Sequence, residues 1–279
     1  MWNDGHIFTA NIVWCEEKYA MSPWIAEFWN STTNIPFVAL AAFCLWKGWQ
    51  IRIPWRFLFC YLMVMAIGVG SFIFHATLRY EAQLLDELPM MILAGQAIFS
   101  LTANSLTPVL TRWIIGVLIY GLITLGSLIY IKTNIAIVHQ FIFGLFMAAI
   151  CYASLRIHLK ASPHPNGAIS MGRAMLAAFF LNLAAFIVWL YDQFGCGTLR
   201  ELRRALGHPW TALLQFHAWW HLLTALGSVW FISGLLLADP FYSPQYRLDR
   251  ALLIFPRISL SEVQKTKVRI EMTPAEKTL

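Results

Sequence analysis

The stretch SFIFHATLRYEAQLLDE, residues 71–87, and the shorter motif HAWWH, residues 217–221, place ionisable side chains in strongly apolar surroundings. The side chains concerned are His75, Asp86, His217 and His221. An ionisable group at the centre of a bilayer costs roughly 2.5–3.5 kcal/mol, so each of them needs a compensating interaction there. In a chain that spans a membrane, this pattern predicts a functional cluster.

The composition is that of an integral membrane protein. Hydrophobic residues make up 59% of the 279 residues and charged residues 12%, and the mean hydropathy is +0.61. These values exclude a soluble globular domain. Residues 1–30 contain four acidic residues and no basic segment followed by an apolar run, so no secretory signal peptide is expected. The first spanning helix then has to act as the insertion signal.

Apolar runs of about 20 residues, the length that crosses a bilayer as a helix, recur along the chain. They predict an all-α integral membrane protein in which seven transmembrane helices form a bundle. The predicted spans are residues 30–49, 56–77, 84–103, 111–131, 135–155, 173–194 and 210–237. Polar residues 31–34 dilute the start of the first span, although such residues can turn inward in a bundle.

The distribution of Lys and Arg indicates the orientation in the membrane. With the N-terminus in the lumen, fourteen of these residues fall on the cytoplasmic side and six on the lumenal side, as the positive-inside bias requires. The formal charge of +6 is then explained by the lipid bilayer, without a nucleic-acid partner. The predicted division is a lumenal segment over residues 1–29, a transmembrane domain over 30–238 and a mobile cytoplasmic tail over 239–279.

The spacing of the polar residues brings them to similar depths. Only about six residues separate the second and third predicted spans, which makes those helices antiparallel neighbours and brings His75 level with Asp86. Ser71 lies four residues before His75, and His217 four residues before His221, so each pair shares one helix face. All of these groups are predicted to lie in the lumenal half of the membrane.

Three histidines on two helices, with a carboxylate on a third, have the composition of a catalytic zinc site in which one position stays open for water. Asp86 could bind the metal, orient a ligand, or carry protons, and Ser71 is suited to bond a developing oxyanion. The alternative is structural, because HxxxH pairs occur by chance and histidines also bond between helices. His139 and Asp192 could support the site or contact the substrate, but both are interpreted in that structural sense, as residues that bond between helices.

The motifs SFIFHATLRYEAQLLDELPM, QFHAWWH and WCEEKY with IAEFWN are similar to those of the alkaline ceramidase family, in particular its phytoceramidase-like members. The resemblance runs from about Trp14 to Gly227. It implies that residues 30–238 form a zinc hydrolase that cleaves the amide bond of ceramide or phytoceramide into a sphingoid base and a fatty acid.

The resemblance also assigns roles and a location. His75, His217 and His221 match the zinc ligands of the family, and Ser71 and Asp86 match its serine and aspartate at the zinc centre. Residence in the endoplasmic reticulum or the Golgi apparatus is implied. The alternative to an enzyme is a seven-helix receptor or lipid-binding regulator with a structural metal, related to adiponectin receptors. It stays open because a fold does not fix a function.

The family also carries a calcium site near the N-terminus, from which this sequence departs. Trp14, Glu16 and Glu27 match family positions, but Val13 and Lys18 stand where the family has an aspartate and an asparagine. Calcium takes six to eight oxygen ligands. We therefore hypothesise that the ammonium of Lys18 replaces calcium and that activity is largely calcium-independent.

Two alternatives to that hypothesis remain open. Glu17 and Asn11 could serve as substitute calcium ligands. The acidic residues could also form an ordinary solvated face on the lumenal side, because exposed carboxylates are common.

The five cysteines fall into two groups. Cys15 and Cys196 both lie on the predicted lumenal side, an oxidising compartment, and both match cysteines of the family, which implies a disulfide between them. Two unpaired thiols are the alternative. Cys44, Cys60 and Cys151 fall within or beside apolar helices and are predicted to be buried free thiols.

Overall fold

A computed structural model describes residues 8–160, 167–249 and 257–261 of the chain. This part of the chain is mostly helical and ends in a two-stranded antiparallel sheet. The helices are α1 (Phe28–Thr32), α2 (Asn34–Gln50), α3 (Trp55–Thr77), α4 (Tyr80–Thr102), α5 (Val109–Thr133), α6 (Ala136–Lys160), α7 (Gly167–Phe194), α8 (Cys196–Leu206) and α9 (Phe216–Ala238). The strands are β1 (Tyr246–Asp249) and β2 (Arg257–Leu260).

Six of the described helices are long and apolar enough to cross a bilayer: α3, α4, α5, α6, α7 and α9. They confirm a mostly helical membrane protein, whereas the predicted count of seven spans is not confirmed by the described residues. The first predicted span is divided into α1 and α2, and α2 has 17 residues. At 1.5 Å per residue α2 is about 26 Å long, slightly shorter than the hydrocarbon core.

The division of the first predicted span has a local cause. The hydroxyls of Ser31 and Thr33 donate to the carbonyls of Glu27 and Trp29, at 2.6 and 2.8 Å, and so compete with the helical hydrogen bonds. Pro36 follows and has no N–H to donate back into α1. Together these residues replace one long helix by a short helix and a second helix that begins at Asn34.

Helices α3 and α4 are antiparallel neighbours, as the short connection predicts. The turn between them passes through Leu78, which has a left-handed backbone (φ 49°) and is fully buried. Gly70 lies against the α4 backbone so closely that an added Cβ would stand 2.2 Å from the carbonyl oxygen of Leu85. Glycine is therefore required at this crossing, and the residues that follow, Ser71 and Asp86, are brought together.

The last long helix begins later than the sequence predicts. Residues Trp210–Leu214 form a 3-10 turn, and α9 starts only at Phe216. His217 therefore lies in the first turn of α9, where backbone N–H groups have no partner within the helix. The span predicted from residue 210 is corrected accordingly.

The segment after Pro240 is more ordered than the predicted mobile tail. Strands β1 and β2 pair from Tyr246 opposite Leu260 to Asp249 opposite Arg257. Tyr246 is buried, and its hydroxyl donates to the carbonyl of Arg52 at 2.8 Å. The tail prediction is thus wrong for this hairpin, while residues 250–256 and 262–279 lie outside the described part of the chain.

Candidate metal centre

Three buried histidines from α3 and α9 meet in the bundle. His75 is fully buried, and His217 and His221 are 3% and 4% exposed. One ring nitrogen from each lies within 4.8 Å of the others, close enough for the three to hold one metal ion. The structure therefore brings together the three residues that the sequence predicts as ligands.

His75 is oriented by a residue from outside the helix bundle. Its Nδ1 lies 2.5 Å from Oε2 of Glu27, which is itself fully buried. A carboxylate only accepts hydrogen bonds, so this contact assigns the ring proton to Nδ1 and leaves the Nε2 lone pair available. Within the described structure, Nε2 of His75 is buried and has no hydrogen-bond partner.

His217 is fixed through its backbone and its ring. The His217 N–H donates to Oδ1 of Asp192 at 3.3 Å, which satisfies one of the free N–H groups at the start of α9. The indole of Trp14 stacks on the imidazole, with ring centroids 3.6 Å apart. Nδ1 of His217 is also buried and without a hydrogen-bond partner among the described residues.

His221 faces the polar break that separates α1 from α2. Its Nδ1 lies 3.1 Å from the Thr33 hydroxyl and 3.4 Å from Nδ2 of Asn34. Its Nε2 lies 3.4 Å from the hydroxyl of Ser71. Two of the polar residues that weaken the first predicted span therefore contact the histidine cluster.

The donor set fits a metal ion. Buried polar atoms are nearly always hydrogen-bonded, yet His75 and His217 each keep one buried ring nitrogen without such a bond. Three imidazole nitrogens are a common donor set for a catalytic zinc ion, and they leave one coordination position open. This observation favours metal binding over the structural alternative, in which the imidazoles would bond to one another or to helix carbonyls.

Ser71 and Asp86 form a pair beside the histidines. The side chain of Ser71 interacts with the Asp86 carboxylate, and its hydroxyl accepts a hydrogen bond from Nδ2 of Asn34 at 3.2 Å. Asp86 is absent from the group of described residues whose ligand atoms converge. The structure therefore does not place Asp86 among the converging ligand atoms.

The N-terminal acids do not form a solvated face. Glu16 and Glu27 are 3% and 0% exposed, so that alternative is wrong for both. Glu16 accepts the backbone N–H groups of Trp29 and Asn30 at 2.7 and 2.8 Å. Burial raises the pKa of Glu16 to about 7, against the opposing effect of these bonds. Burial also acts to raise the pKa of Glu27, but the charge of Lys18 and the contact with His75 outweigh it and lower it to about 2.

The proposed substitute calcium ligands face elsewhere. Glu17 lies 3.4 Å from Nε of Arg203. The side-chain amide of Asn11 donates to Asn134 at 3.1 Å and to Tyr130 at 3.5 Å. The side chains of Glu17 and Asn11 therefore contact partners other than Glu27. Val13, which stands where the family has an aspartate, is 51% exposed.

Two cysteines pair as predicted, and one of the three free thiols differs from its predicted burial. Cys15 and Cys196 form a disulfide that ties the N-terminal segment to α8. Arg203 of α8 strengthens the junction by donating to the Cys15 carbonyl at 3.0 Å. Cys60 is buried and Cys44 partly buried, but Cys151 is exposed on the helix surface, so its predicted burial is wrong.

Some residues near the site were not singled out by their sequence pattern. Glu87 accepts hydrogen bonds from Tyr130 and from Gln83, and its carboxylate lies 3.7 Å from His139. His139 of α6 thus faces Glu87 of α4, but the 3.7 Å contact is too long for a hydrogen bond and its buried Nε2 has no hydrogen-bond partner among the described residues, so the interpretation of His139 as a residue that bonds between helices stays a prediction. Asp192 bonds the backbones of His217 and Cys15, which makes it both an interhelical contact and a support of the cluster.

An apolar cavity opens on the outer face between α3 and α4. Its volume is about 300 Å³. Gly70 and Leu85, the immediate neighbours of Ser71 and Asp86 in the sequence, contribute to its wall. The other lining residues are Leu62, Met65, Ala66, Val69, Ile73 and Pro89.

Comparison with known proteins identifies a family with this sequence. The family model described as ceramidase matches residues 6–259. Alkaline ceramidase 3 of Mus musculus is 33% identical over 225 residues, which cover 79% of this chain and 80% of that protein. An alkaline ceramidase of Saccharomyces cerevisiae is 31% identical over 239 residues, with coverage of 81% and 76%. An alkaline ceramidase of Arabidopsis thaliana is 27% identical over 230 residues, with coverage of 79% and 80%.

Proposed function

Because the chain belongs to the alkaline ceramidase family and is a hydrolase of ceramide amide bonds, we propose that His75, His217 and His221 hold the zinc ion on which this hydrolysis depends. The observation that carries the proposal is the pair of buried, unpartnered ring nitrogens in a cluster of three histidines. Membership of a family of hydrolases also sets aside the receptor alternative.

A zinc ion at this place would lower the pKa of a bound water toward about 7 and polarise the amide carbonyl. The chain itself contributes the orientation of the ligands. Glu27 holds the ring of His75 through Nδ1, while Asp192 and Trp14 hold His217 at its backbone and its ring face. Such supporting contacts keep the ligand nitrogens directed at one point.

Asp86 is the proton carrier in this proposal. Its carboxylate accepts a proton from the attacking water as the oxygen of that water bonds to the amide carbon. It then delivers the proton to the amide nitrogen as the carbon–nitrogen bond breaks. The products are a fatty acid and the free amine of a sphingoid base.

Ser71 is the oxyanion donor in this proposal. Its hydroxyl lies between Asp86 and His221, so it can turn toward a substrate oxygen that binds beside the histidines. A donor aimed at the position where negative charge develops stabilises the transition state more than the ground state.

The apolar cavity between α3 and α4 suits a hydrocarbon chain of ceramide or phytoceramide. It is open to the side of the bundle and lined mainly by aliphatic residues. A substrate that reaches the site from within the bilayer keeps its chains in apolar surroundings while its amide approaches the histidines. This is the physical reason for placing the reaction inside the membrane.

The proposed topology has seven spans, with α2 as the short first span. The N-terminus then faces the lumen of the endoplasmic reticulum or Golgi apparatus, and the C-terminus faces the cytosol, in agreement with the distribution of Lys and Arg. The disulfide between Cys15 and Cys196 supports a lumenal N-terminal segment, because disulfides persist in oxidising compartments.

The function is tested by incubating purified, zinc-loaded protein with ceramide, dihydroceramide and phytoceramide and measuring the release of free sphingoid base. We expect metal-dependent release from at least one of the three and its loss in His217→Ala. Release that is equal in wild-type protein and in His217→Ala contradicts the proposed zinc mechanism.

A further inference from the structure

The side chain of Lys18 is folded back into the N-terminal segment rather than extended into solvent. Its Nζ donates to the carbonyl oxygens of Trp14 and Glu16, each at 2.7 Å, and to Oε1 of Glu27. The side chain is only 19% exposed. An ammonium group has three hydrogen-bond donors, so all three are satisfied by these oxygens.

The three oxygens around this ammonium belong to the types that bind a hard divalent cation. Main-chain carbonyls and carboxylates are the usual ligands of calcium, which takes six to eight oxygens. A tethered ammonium in their midst supplies a positive charge that cannot dissociate. The ammonium and two of the three oxygens around it belong to one short segment, because Trp14, Glu16 and Lys18 lie within five residues of one another.

Glu27 connects this ammonium to the histidine cluster. One oxygen of the carboxylate contacts Lys18 and accepts the Trp14 N–H at 3.3 Å. The other oxygen contacts His75 Nδ1 and accepts from Nδ2 of Asn30 at 3.0 Å. A fully buried carboxylate needs a compensating charge, and Lys18 provides it.

We propose that Lys18 is a positioning residue, a built-in cation that holds the Glu27 carboxylate in its orientation against His75 and thereby replaces an exchangeable divalent cation. This inference rests on the proposed zinc site. It extends that proposal by connecting zinc affinity to a residue that does not touch the metal. The wild-type protein then needs no second cation, whereas a variant without the ammonium should require a bound cation.

The test uses two variants and a matched control in the purified full chain. Lys18→Asn removes the charge but offers a carbonyl oxygen, whereas Lys18→Met removes the charge and offers no ligand. Lys132→Asn changes an exposed lysine at the C-terminal end of α5 and serves as the control. Unfolding midpoint, zinc affinity and ceramide hydrolysis are measured in calcium-depleted buffer and again with about 1 mM calcium chloride.

We expect both Lys18 variants to lose about 10- to 100-fold in zinc affinity or activity without calcium, as is typical when the support of a metal ligand is removed. Calcium should raise the unfolding midpoint of Lys18→Asn and restore its activity. It should do neither for Lys18→Met, for the wild-type protein or for Lys132→Asn. A lysine with a merely structural role would not produce a rescue that depends on both calcium and the asparagine.

Two results overturn the inference: a calcium response of the wild-type protein as large as that of Lys18→Asn, or wild-type zinc affinity and activity in Lys18→Met. Where a variant does not fold, the calcium titration of wild-type protein decides, since a shift in its midpoint overturns the inference and an unchanged midpoint supports it. Failure of the zinc proposal is recognised separately, by undiminished hydrolysis in His217→Ala.

Discussion

Nδ1 of His75 lies 2.5 Å from Oε2 of Glu27, and water is excluded from both side chains. The contact joins a residue of α3 to one that precedes the first helix, 48 positions away. It fixes the ring orientation and directs Nε2 away from Glu27. The N-terminal segment is therefore a part of the proposed metal centre and not a cover over it.

Replacement of Glu27 by glutamine tests this contact, because glutamine keeps the shape and removes the charge. A neutral amide makes His75 a weaker ligand, so zinc affinity should fall about 10- to 100-fold. Competitive chelation measures the affinity, with Glu81→Gln as a matched control at an exposed position. Equal zinc affinity in wild-type protein and Glu27→Gln would show that the contact does not support the ligand.

Asp86→Asn separates proton transfer from metal binding. We expect hydrolysis to fall about 10²- to 10⁴-fold, the usual contribution of a general acid–base group, because an amide cannot accept the proton of water. Zinc content should stay at the wild-type level, since Asp86 does not converge with the three histidines. Loss of zinc together with activity would instead identify Asp86 as a ligand.

Gly70→Ala tests the close crossing of α3 and α4. The added Cβ would stand 2.2 Å from the Leu85 carbonyl oxygen, a backbone atom, so the helices must move apart. A displacement of about 1 Å between Ser71 and Asp86 should cost on the order of 100-fold in hydrolysis. Gly121→Ala is the control, because an added Cβ there meets nothing within 4 Å. Unchanged hydrolysis in Gly70→Ala would contradict the required spacing.

The disulfide between Cys15 and Cys196 closes a long loop, with 181 positions between its ends. Its removal by Cys15→Ser or Cys196→Ser should lower the free energy of unfolding by about 2–5 kcal/mol. The double variant should lose no more than either single one. Cys151→Ser, at an exposed free thiol, should leave stability unchanged. Additive losses in the double variant would mean that the two sulfurs act separately.

Much of the bundle could be predicted because the membrane imposes a simple rule: apolar runs of helical length become spans. The histidine cluster could also be predicted, because ionisable residues in such runs are costly in a bilayer and need a compensating interaction there. The break before Asn34 and the late start of α9 were not predicted. The first depends on hydroxyls that bond the backbone four residues earlier, and the second on the Asp192 carboxylate of α7, and hydropathy registers neither.

The supporting contacts of the site were harder to predict for a different reason. Glu27 reaches His75 because the backbone of Ala26 and Glu27 bonds the carbonyls at the end of α3, at 3.0 Å each. No periodicity in the sequence marks such a pairing between an irregular segment and a helix end. The stacking of Trp14 on His217 is of the same kind.

We propose that the three histidines hold the zinc ion required for ceramide hydrolysis. The most direct measurement is the zinc content of purified wild-type protein and His217→Ala by elemental analysis, with ceramide hydrolysis followed in the same samples before and after metal removal. We expect about one zinc ion per chain, activity that is lost on removal and regained with added zinc, and neither property in His217→Ala. Full hydrolysis by zinc-free wild-type protein, or wild-type zinc content and activity in His217→Ala, would contradict it.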